Sequence, residues 1–228
     1  MRIKFNQTKY SIEVIMTAIR PYLSYSTFYR DVEEILKEQG LIVDHTTIYR
    51  WVIKYVPKLL YKFRKYKLKV GERWYLNETY IKVGGVDHYI YRAVDSNGQT
   101  IDFKPYKKRN KSVAKRYLNH AIKNNRTPGK VNIDGGLAIE AGIKKYNFQN
   151  NSDIKITKIK YLNNIIEQDH RSIKRKFKSI QIFKKLSTAQ IILAGMEMVK
   201  MLKKGQVFIG DLFVEGLIDE FHELTYLK

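Results

Sequence analysis

The feature that most constrains the fold of this chain is a change in hydrophobic period near residue 74. Beyond it, apolar and polar residues alternate with a period of two, which is typical of half-buried strands. The glycine pair 84–85 and the Ser-Asn-Gly sequence at 96–98 favour tight turns, so the strands are predicted to be antiparallel. The three predicted strands are WYLNETYIKV, HYIYRAVDSNG and QTIDFKPYKK.

Helices and strands alternate after the third strand. The predicted segments are a helix over 112–124, a short buried strand KVNID that ends at Asp134, a helix over 138–146, an extended segment over 154–159 and a helix over 163–176. Three antiparallel strands followed by alternating helix and strand resemble the order of a ribonuclease H-like domain. The sequence therefore predicts an α/β (α+β) fold with a ribonuclease H-like mixed sheet. Such a resemblance concerns the fold, and the function depends on the site.

Residues 11–52 are predicted to form three short helices ahead of the strands. The residues placed to cap the starts of these helices are Ser11, Ser26 and Asp44. Pro21 is expected to interrupt the first helix, and Gly40 to end the second. Two helices joined by a short turn that contains glycine form the helix-turn-helix pattern.

In a helix-turn-helix, the second helix of the pair enters the major groove of DNA, with its N-terminal residues near the base edges. The candidate DNA-binding residues are therefore His45, Thr46, Thr47, Tyr49 and Arg50. A small helical packing module is the alternative for an isolated three-helix pattern. The charge favours DNA binding, because Lys and Arg total 43 against 22 Asp and Glu, a formal net charge of +21.

Composition argues against several other classes of protein. The chain has no cysteine, and hence no disulfide framework and no cysteine-based metal site or nucleophile. The N-terminal MRIKFNQTKY lacks the apolar segment of a cleavable signal, and no apolar run is long enough to span a bilayer. An anionic membrane surface is the competing partner, but no long amphipathic helix with one basic face favours it. A cytoplasmic protein without a membrane partner is expected.

The chain is predicted to divide into four parts. Residues 54–73 are strongly basic and interleaved with Tyr and Phe, which favours a linker that contacts phosphates over a merely solvated charge run. Residues 205–228 hold five acids and several large apolar residues, which favours packing or self-association. The predicted parts are a helix-turn-helix DNA-binding domain (1–55), a basic linker (56–73), a ribonuclease H-like catalytic domain (74–204) and an acidic-apolar C-terminal tail (205–228).

Glu167 lies on the predicted helix 163–176 in a basic neighbourhood. Glu167 is off the apolar side that Ile165, Ile166 and Ile173 form, and its neighbours at i+3, i+4 and i+7 are His170, Arg171 and Lys174. One carboxylate among basic side chains that can hold phosphates favours a site. The alternative is ordinary helix-surface pairing, a common arrangement worth a few tenths of a kcal/mol per pair.

The segment YLNNIIEQDHRSIK, residues 161–174, resembles the segment that carries the last catalytic acid in bacterial DDE transposases of the insertion sequence six family. The resemblance extends from about residue 5 to residue 204. It implies DNA strand transfer with two divalent metal ions, Mg²⁺ or Mn²⁺, held by three carboxylates. Asp134 in NIDGG matches the second acid of the family and Glu167 the third.

The first acid of the family falls in WYLNETY, where this chain has Asn77 instead of Asp. The catalytic and metal-binding set that the resemblance implies is therefore Asn77, Asp134 and Glu167. An amide keeps one carbonyl oxygen as a ligand but removes a full negative charge from the site. Glu78 is not expected to replace the missing acid, because adjacent strand residues point to opposite faces. His170, Arg171 and Lys174 match the basic residues after the family's Glu, and are assigned to substrate phosphates or to orienting the site.

The sequence is compatible with two functions, and the presence of Asn instead of Asp at position 77 is the feature that distinguishes them. The first is an active transposase with double-stranded DNA as its partner, both as terminal inverted repeats and as target. The resemblance implies that such a protein forms a homo-oligomer on DNA and is associated with the bacterial nucleoid. The second is a catalytically inactive relative that still binds element ends. A ribonuclease acting on RNA–DNA hybrids is a weaker third hypothesis, which the helix-turn-helix disfavours.

Overall fold

The computed structural model describes residues 9–179 and 183–207. The chain divides into two units, one of residues 1–68 with 187–228 and one of residues 69–186. The helices are α1 (Ile12–Ser24), α2 (Tyr29–Glu38), α3 (His45–Lys65), α4 (Lys111–Lys123), α5 (Leu137–Asn150), α6 (Asn164–Ser179) and α7 (Leu186–Lys203). The strands are β1 (Arg73–Val83), β2 (Val86–Asp95), β3 (Thr100–Tyr106), β4 (Lys130–Asn132) and β5 (Lys155–Thr157). Beyond residue 207, the predicted C-terminal tail lies outside the described residues.

The first unit contains the three predicted N-terminal helices, with three corrections at their ends. Ser11 is at the N-cap position of α1, but its side chain makes no capping hydrogen bond. Pro21 does not interrupt α1, which continues to Ser24 because Tyr22 and Leu23 are buried and tertiary packing outweighs the lost hydrogen bond. Ser26 does not cap α2. The helix starts later, where the Phe28 N–H donates to a carboxylate oxygen of Asp31 at 2.8 Å.

The start of α3 and the end of α2 follow the sequence prediction. Asp44 caps α3, since its carboxylate accepts the backbone N–H of Thr46 at 2.8 Å. Gly40 follows the end of α2 with φ +77°, a left-handed conformation that glycine adopts without steric cost. The turn between these helices therefore has the residues that its geometry needs.

The predicted basic linker is wrong for residues 56–65, because α3 extends to Lys65. Tyr55, Val56, Leu59 and Phe63 are buried at helical spacing, so the apolar side of the helix continues without a break. Pro57 is inside the helix but exposed. Burial of this apolar side outweighs the proline and the density of positive charge on the other side.

The helix α7 belongs almost entirely to the first unit, whereas the sequence prediction assigned residues 189–204 to the catalytic domain. The reason is close packing at Gly195. A Cβ atom at this position would lie 2.7 Å from the methyl groups of Leu23 and 3.1 Å from Val56. Only glycine lets α7 approach α1 and α3 so closely.

The second unit is built on a five-stranded sheet with the order β3-β2-β1-β4-β5. β1, β2 and β3 are antiparallel, while β4 is parallel to β1, and β5 to β4. This is the predicted mixed sheet of a ribonuclease H-like domain. Gly84 and Gly85 connect β1 and β2 with φ of +58° and +79°. The predicted turn at 96–98 is confirmed, and Asp95 stabilises it, because its carboxylate accepts the N–H groups of Asn97 and Gln99, both at 2.9 Å.

Helices cover both faces of the sheet. On one face, α4 and α5 pack against a large apolar core that includes Trp74, Leu76 and Val131. On the other face, Ile166 of α6 packs against Tyr75 and Val94. Neighbouring residues of β1 therefore project toward different helices. In the part of the chain that the structure describes, no helix has the length and apolarity needed to cross a membrane.

Candidate active site

The register between β1 and β4 relates two of the predicted site residues. Tyr75 of β1 pairs with Asn132 of β4 in parallel. Asn77 and Asp134 each follow two residues later, so the two lie toward the same end of the paired strands. Asn77 is buried within β1, whereas Asp134 is exposed in the bend that follows β4.

A hydrogen-bond network around Asn132 fixes the start of α6 to the sheet. The Asn132 amide donates to the side-chain oxygen of Asn163 and to the Ile159 carbonyl, both at 2.9 Å. Its own side-chain oxygen accepts the Thr157 hydroxyl at 2.9 Å and the Ile159 N–H at 3.1 Å. Asn163 directly precedes α6, and Glu167 lies in the first turn of that helix. Asn132 thus helps to position Glu167, a role that the sequence analysis missed.

The helix α6 presents different residues to the sheet and to solvent. Ile166, Ile173 and His170 are buried, with His170 only 4 % exposed. Glu167, Arg171 and Lys174 are exposed. Two roles were predicted for His170, binding substrate phosphates and orienting the site. Because the side chain is buried, the orienting role is the one that fits. Arg171 and Lys174 remain accessible to phosphates, and the convergence of Asn77, Asp134 and Glu167 on one pocket stays a prediction.

A buried arginine lies opposite Asn77, and the sequence analysis did not identify it. Arg92 of β2 is the cross-strand partner of Asn77 and is fully buried. Directly opposed residues of antiparallel strands have Cβ atoms about 5 Å apart and project from the same face. The position of Asn77 therefore faces a positive charge as well as the α6 side of the sheet.

Glu78 projects to the other face of the sheet, as strand alternation predicts. Its side chain is only 9 % exposed and forms an ion pair with Arg109. Burial raises the pKa of Glu78, and the nearby negative charge of Asp134 adds to this effect, while Arg109 opposes it. The cross-strand partner of Glu78 is Tyr91, whose pKa is also raised by burial and by the Glu78 charge.

The N-terminal half of α3 contains the predicted DNA-binding residues. Thr46, Tyr49 and Arg50 are exposed, and Thr47 is half-buried. The ring of Tyr49 is edge-on to that of Tyr29, with the centroids 5.6 Å apart. Arg50 and Tyr49 therefore project from a surface that aromatic packing supports.

Two of the predicted contacts already have partners within the protein. His45 Nδ1 lies 2.9 Å from a carboxylate oxygen of Glu33 and 3.5 Å from one of Asp44. The Thr46 hydroxyl is hydrogen-bonded to the capping carboxylate of Asp44. These interactions hold the start of α3 in place, and they compete with any contact that His45 or Thr46 makes to DNA.

Comparison with known proteins gives the class first. Residues 71–206 match the sequence profile of a family described as a DDE domain, which covers more than half of the chain. The chain is 38 % identical over 203 residues to the transposase for insertion sequence-like element IS431mec of Staphylococcus aureus strain Mu50, covering 88 % of each chain. It is 37 % identical over 203 residues to the transposase for insertion sequence element IS257 in transposon Tn4003 of S. aureus. The chain belongs to the insertion sequence six family of DDE transposases.

Solved structures show weaker likenesses. The catalytic core domain of HTLV-2 integrase in complex with magnesium is 17 % identical, with a TM-score of 0.47, over 60 % of this chain and 89 % of that one. The catalytic domain of Mos1 mariner transposase is 12 % identical, with a TM-score of 0.34, over 73 % of this chain and 97 % of that one.

Proposed function

We propose that this protein is an insertion-sequence transposase that binds the ends of its element as double-stranded DNA and transfers them to target DNA. The observation that carries the proposal is the agreement between two facts. The transposase likeness covers 88 % of the chain, and residues 71–206 match the DDE domain. Within that same domain, β1 pairs in parallel with β4, and Asn132 at the end of β4 is hydrogen-bonded to Asn163 directly before α6. These contacts support a common site for Asn77, Asp134 and Glu167.

The donor set fits a hard divalent cation such as Mg²⁺ or Mn²⁺, because all three side chains offer oxygen. Asp134 and Glu167 are exposed carboxylates and would hold the metal. Asn77 offers one carbonyl oxygen, which here accepts the Glu78 N–H at 2.7 Å. Bound metal ions would activate the attacking oxygen and stabilise the leaving one. Arg171 and Lys174 would hold substrate phosphates beside Glu167.

The DNA-binding surface extends along the whole of α3. This helix has 21 residues and therefore a length of about 31 Å. It contains no Asp or Glu. We name its exposed side the α3 ridge, which consists of Thr46, Tyr49, Arg50, Lys54, Pro57, Lys58, Tyr61, Arg64 and Lys65. The first residues of the ridge would reach base edges, and the later lysines would follow the phosphate backbone.

Aromatic side chains support the lysines of the α3 ridge. Lys54 and Lys58 lie 5.2 and 5.9 Å from the ring centroid of Tyr55, and Lys65 lies 4.9 Å from that of Tyr61. Cation–π contacts of this kind leave the ammonium groups at the surface without neutralising their charge. The ridge therefore presents positive charge and aromatic rings together, a combination that suits a nucleic-acid backbone.

The proposal includes assembly of a homo-oligomer on DNA. Transfer of an element requires two ends to be held together, and the described part of this chain has one helix-turn-helix. Two or more copies would therefore be needed to hold both ends. Sedimentation of the protein with and without duplex DNA would test this part, and a complex with one chain per pair of ends would contradict it.

Asn77 favours a second candidate function, an inactive relative that only binds element ends, although the transposase likenesses do not favour it. The test compares Mg²⁺-dependent strand transfer by this protein and by its Asn77→Asp variant. Transposase function predicts transfer by at least the Asp variant, with unchanged affinity for a duplex selected from a random library. If neither protein transfers DNA ends in Mg²⁺ or Mn²⁺ and both still bind the selected duplex, the inactive relative is the correct description. If the protein selects no duplex, both descriptions are wrong.

A further inference from the structure

Glu78 is a buried carboxylate that the proposed chemistry does not use. It lies next to Asn77 in β1, but on the face with Leu76 and the large apolar core. Its cross-strand partner Tyr91 is fully buried, and the Tyr91 ring is edge-on to Tyr106 at 5.7 Å. Placing an ionised carboxylate among aromatic rings is costly unless it is paired. An apolar residue at this position would satisfy the core better.

Arg109 is the partner of this carboxylate, and only part of its guanidinium is used. Arg109 lies in the turn between β3 and α4, and its Nε is paired with an oxygen of Glu78. The side chain of Arg109 is 51 % exposed. A guanidinium has five N–H donors, so pairing through Nε leaves the four on the two terminal nitrogens for another ligand. Their planar arrangement matches the oxygens of a phosphate.

The turn that contains Arg109 lies at the same edge of the sheet as the candidate active site, because β3 and β4 run in the same direction as β1. Glu78 projects from the face opposite Asn77, and its carboxylate interacts electrostatically with Asp134. Lys107 and Lys108 precede Arg109 in the same turn and are exposed. Of these cations, Arg109 is the one held by an ion pair to the central strand. Its position is therefore defined relative to Asn77 and Asp134, whereas a solvated lysine samples many positions.

We infer that Arg109 binds a DNA phosphate at the candidate active site, and that Glu78 is the positioning residue that holds Arg109 there. This inference rests on the proposed function, because it takes DNA as the substrate of the domain. Glu78 thus acts through Arg109 rather than as a substitute for the acid that Asn77 lacks. The competing explanation is an ion pair that only ties the β3–α4 turn to the sheet.

The test is a double-mutant cycle between Arg109 and single phosphates. The probe is the duplex selected from a random library, made as a series in which one phosphate at a time is an uncharged methylphosphonate. We expect Arg109→Ala to weaken binding to the unmodified duplex about tenfold. On a duplex that lacks the contacted charge, the same substitution is expected to have no effect. Lys108→Ala is the matched control, since it removes the same charge from the same turn.

Glu78→Gln separates positioning from direct binding. Gln keeps the shape of the side chain but removes the charge that holds Arg109, so the coupling to the single phosphate should be lost while the protein stays folded. Equal losses for Arg109→Ala on every duplex of the series, or losses no larger than those of Lys108→Ala, would overturn the inference. The proposed function would survive that result, because it is tested separately, by duplex selection and by strand transfer with this protein and its Asn77→Asp variant.

Discussion

The two helices that are proposed to contact DNA, α3 and α6, are built differently. α3 contains no acid, and its exposed side carries only cations, aromatics and small residues. α6 exposes Glu167 among Arg171 and Lys174, and its start is fixed to β4 through Asn163 and Asn132. A surface that only binds a polyanion gains from each added positive charge. A surface that performs chemistry on a phosphate keeps a carboxylate and holds it in place.

The largest effect on strand transfer is expected from substitution of Glu167, the carboxylate that distinguishes α6 from α3. In the Asn77→Asp background, Glu167→Gln removes one of the three carboxylates of the site, so strand transfer in Mg²⁺ should fall by orders of magnitude. Affinity for the selected duplex should not decrease, because the change removes a negative charge near phosphates. Asp153→Asn is the matched control, an exposed carboxylate elsewhere in the same unit. Equal loss of strand transfer in the two variants would show that Glu167 has no special role.

Substitutions on the α3 ridge should have the opposite effect, because they should weaken DNA binding and leave strand transfer unchanged. Replacing Lys54, Lys58 and Lys65 by Gln should reduce the slope of log affinity against log salt by about 2 to 3, or close to one per lost phosphate contact. Strand transfer at saturating DNA should change little. The control replaces Lys9, Lys37 and Lys203, three exposed lysines outside the α3 ridge but in the same unit. A slope equal to that of the control would contradict the assignment of the ridge to DNA.

A smaller effect is expected at Arg50, which is exposed in the N-terminal part of α3, five residues after its start. Loss of one good contact to a base edge costs about 1–3 kcal/mol of discrimination against other bases. Arg50→Ala should therefore reduce the preference for the selected duplex over random duplex by about tenfold or more, as measured in competition gel shifts. Lys54→Ala should weaken binding to the selected and the random duplex equally, since a phosphate contact carries no sequence information. Unchanged preference in Arg50→Ala would place base recognition elsewhere.

Much of the fold followed from local patterns. The period of two after residue 74, the cap at Asp44 and the turn at Asp95 depend on near neighbours, and the structure confirms each of them. The extent of α3 and the packing of α7 did not follow from such patterns. The density of basic residues interleaved with Tyr and Phe indicated a linker, but burial of Val56 and Phe63 decided the outcome. Burial of this kind depends on helices that are distant in the sequence.

The site was predictable where a single segment carries it, and not where the fold assembles it. Glu167 was identified from its own helix. The network from Asn132 to Asn163 joins positions 31 residues apart, and the ion pair of Glu78 with Arg109 joins β1 to the turn between β3 and α4. No spacing rule connects such residues, because their proximity is set by strand register. Fold and candidate acids were therefore accessible from the sequence, while the residues that position them required the structure.

The smallest expected effect concerns stability and the pKa of Glu78. Burial raises the pKa of Glu78 in the folded protein above its ordinary value, so the folded state favours the protonated carboxyl. The stability that this group contributes is fully present below the unfolded pKa and is lost as pH rises through the folded pKa. Gln cannot ionise, so the Glu78→Gln variant does not lose this stability as pH rises. Its free energy of unfolding near pH 7 should therefore be higher than that of the unsubstituted protein, by at most about 1 kcal/mol.

Below the ordinary pKa of a glutamate, Glu78→Gln and the unsubstituted protein should have the same stability, because both side chains are then neutral. Thermal unfolding followed across pH 3 to 8 would measure the difference. Arg109→Ala is the control with the opposite expectation, since it leaves the buried carboxylate unpaired and should destabilise most at high pH. A Glu78→Gln variant that is less stable than the unsubstituted protein at pH 7 would mean that the ion pair outweighs the cost of burial. Glu78 would then be retained for stability, and the separation between residues that hold the fold and residues that act on phosphates would not extend to this position.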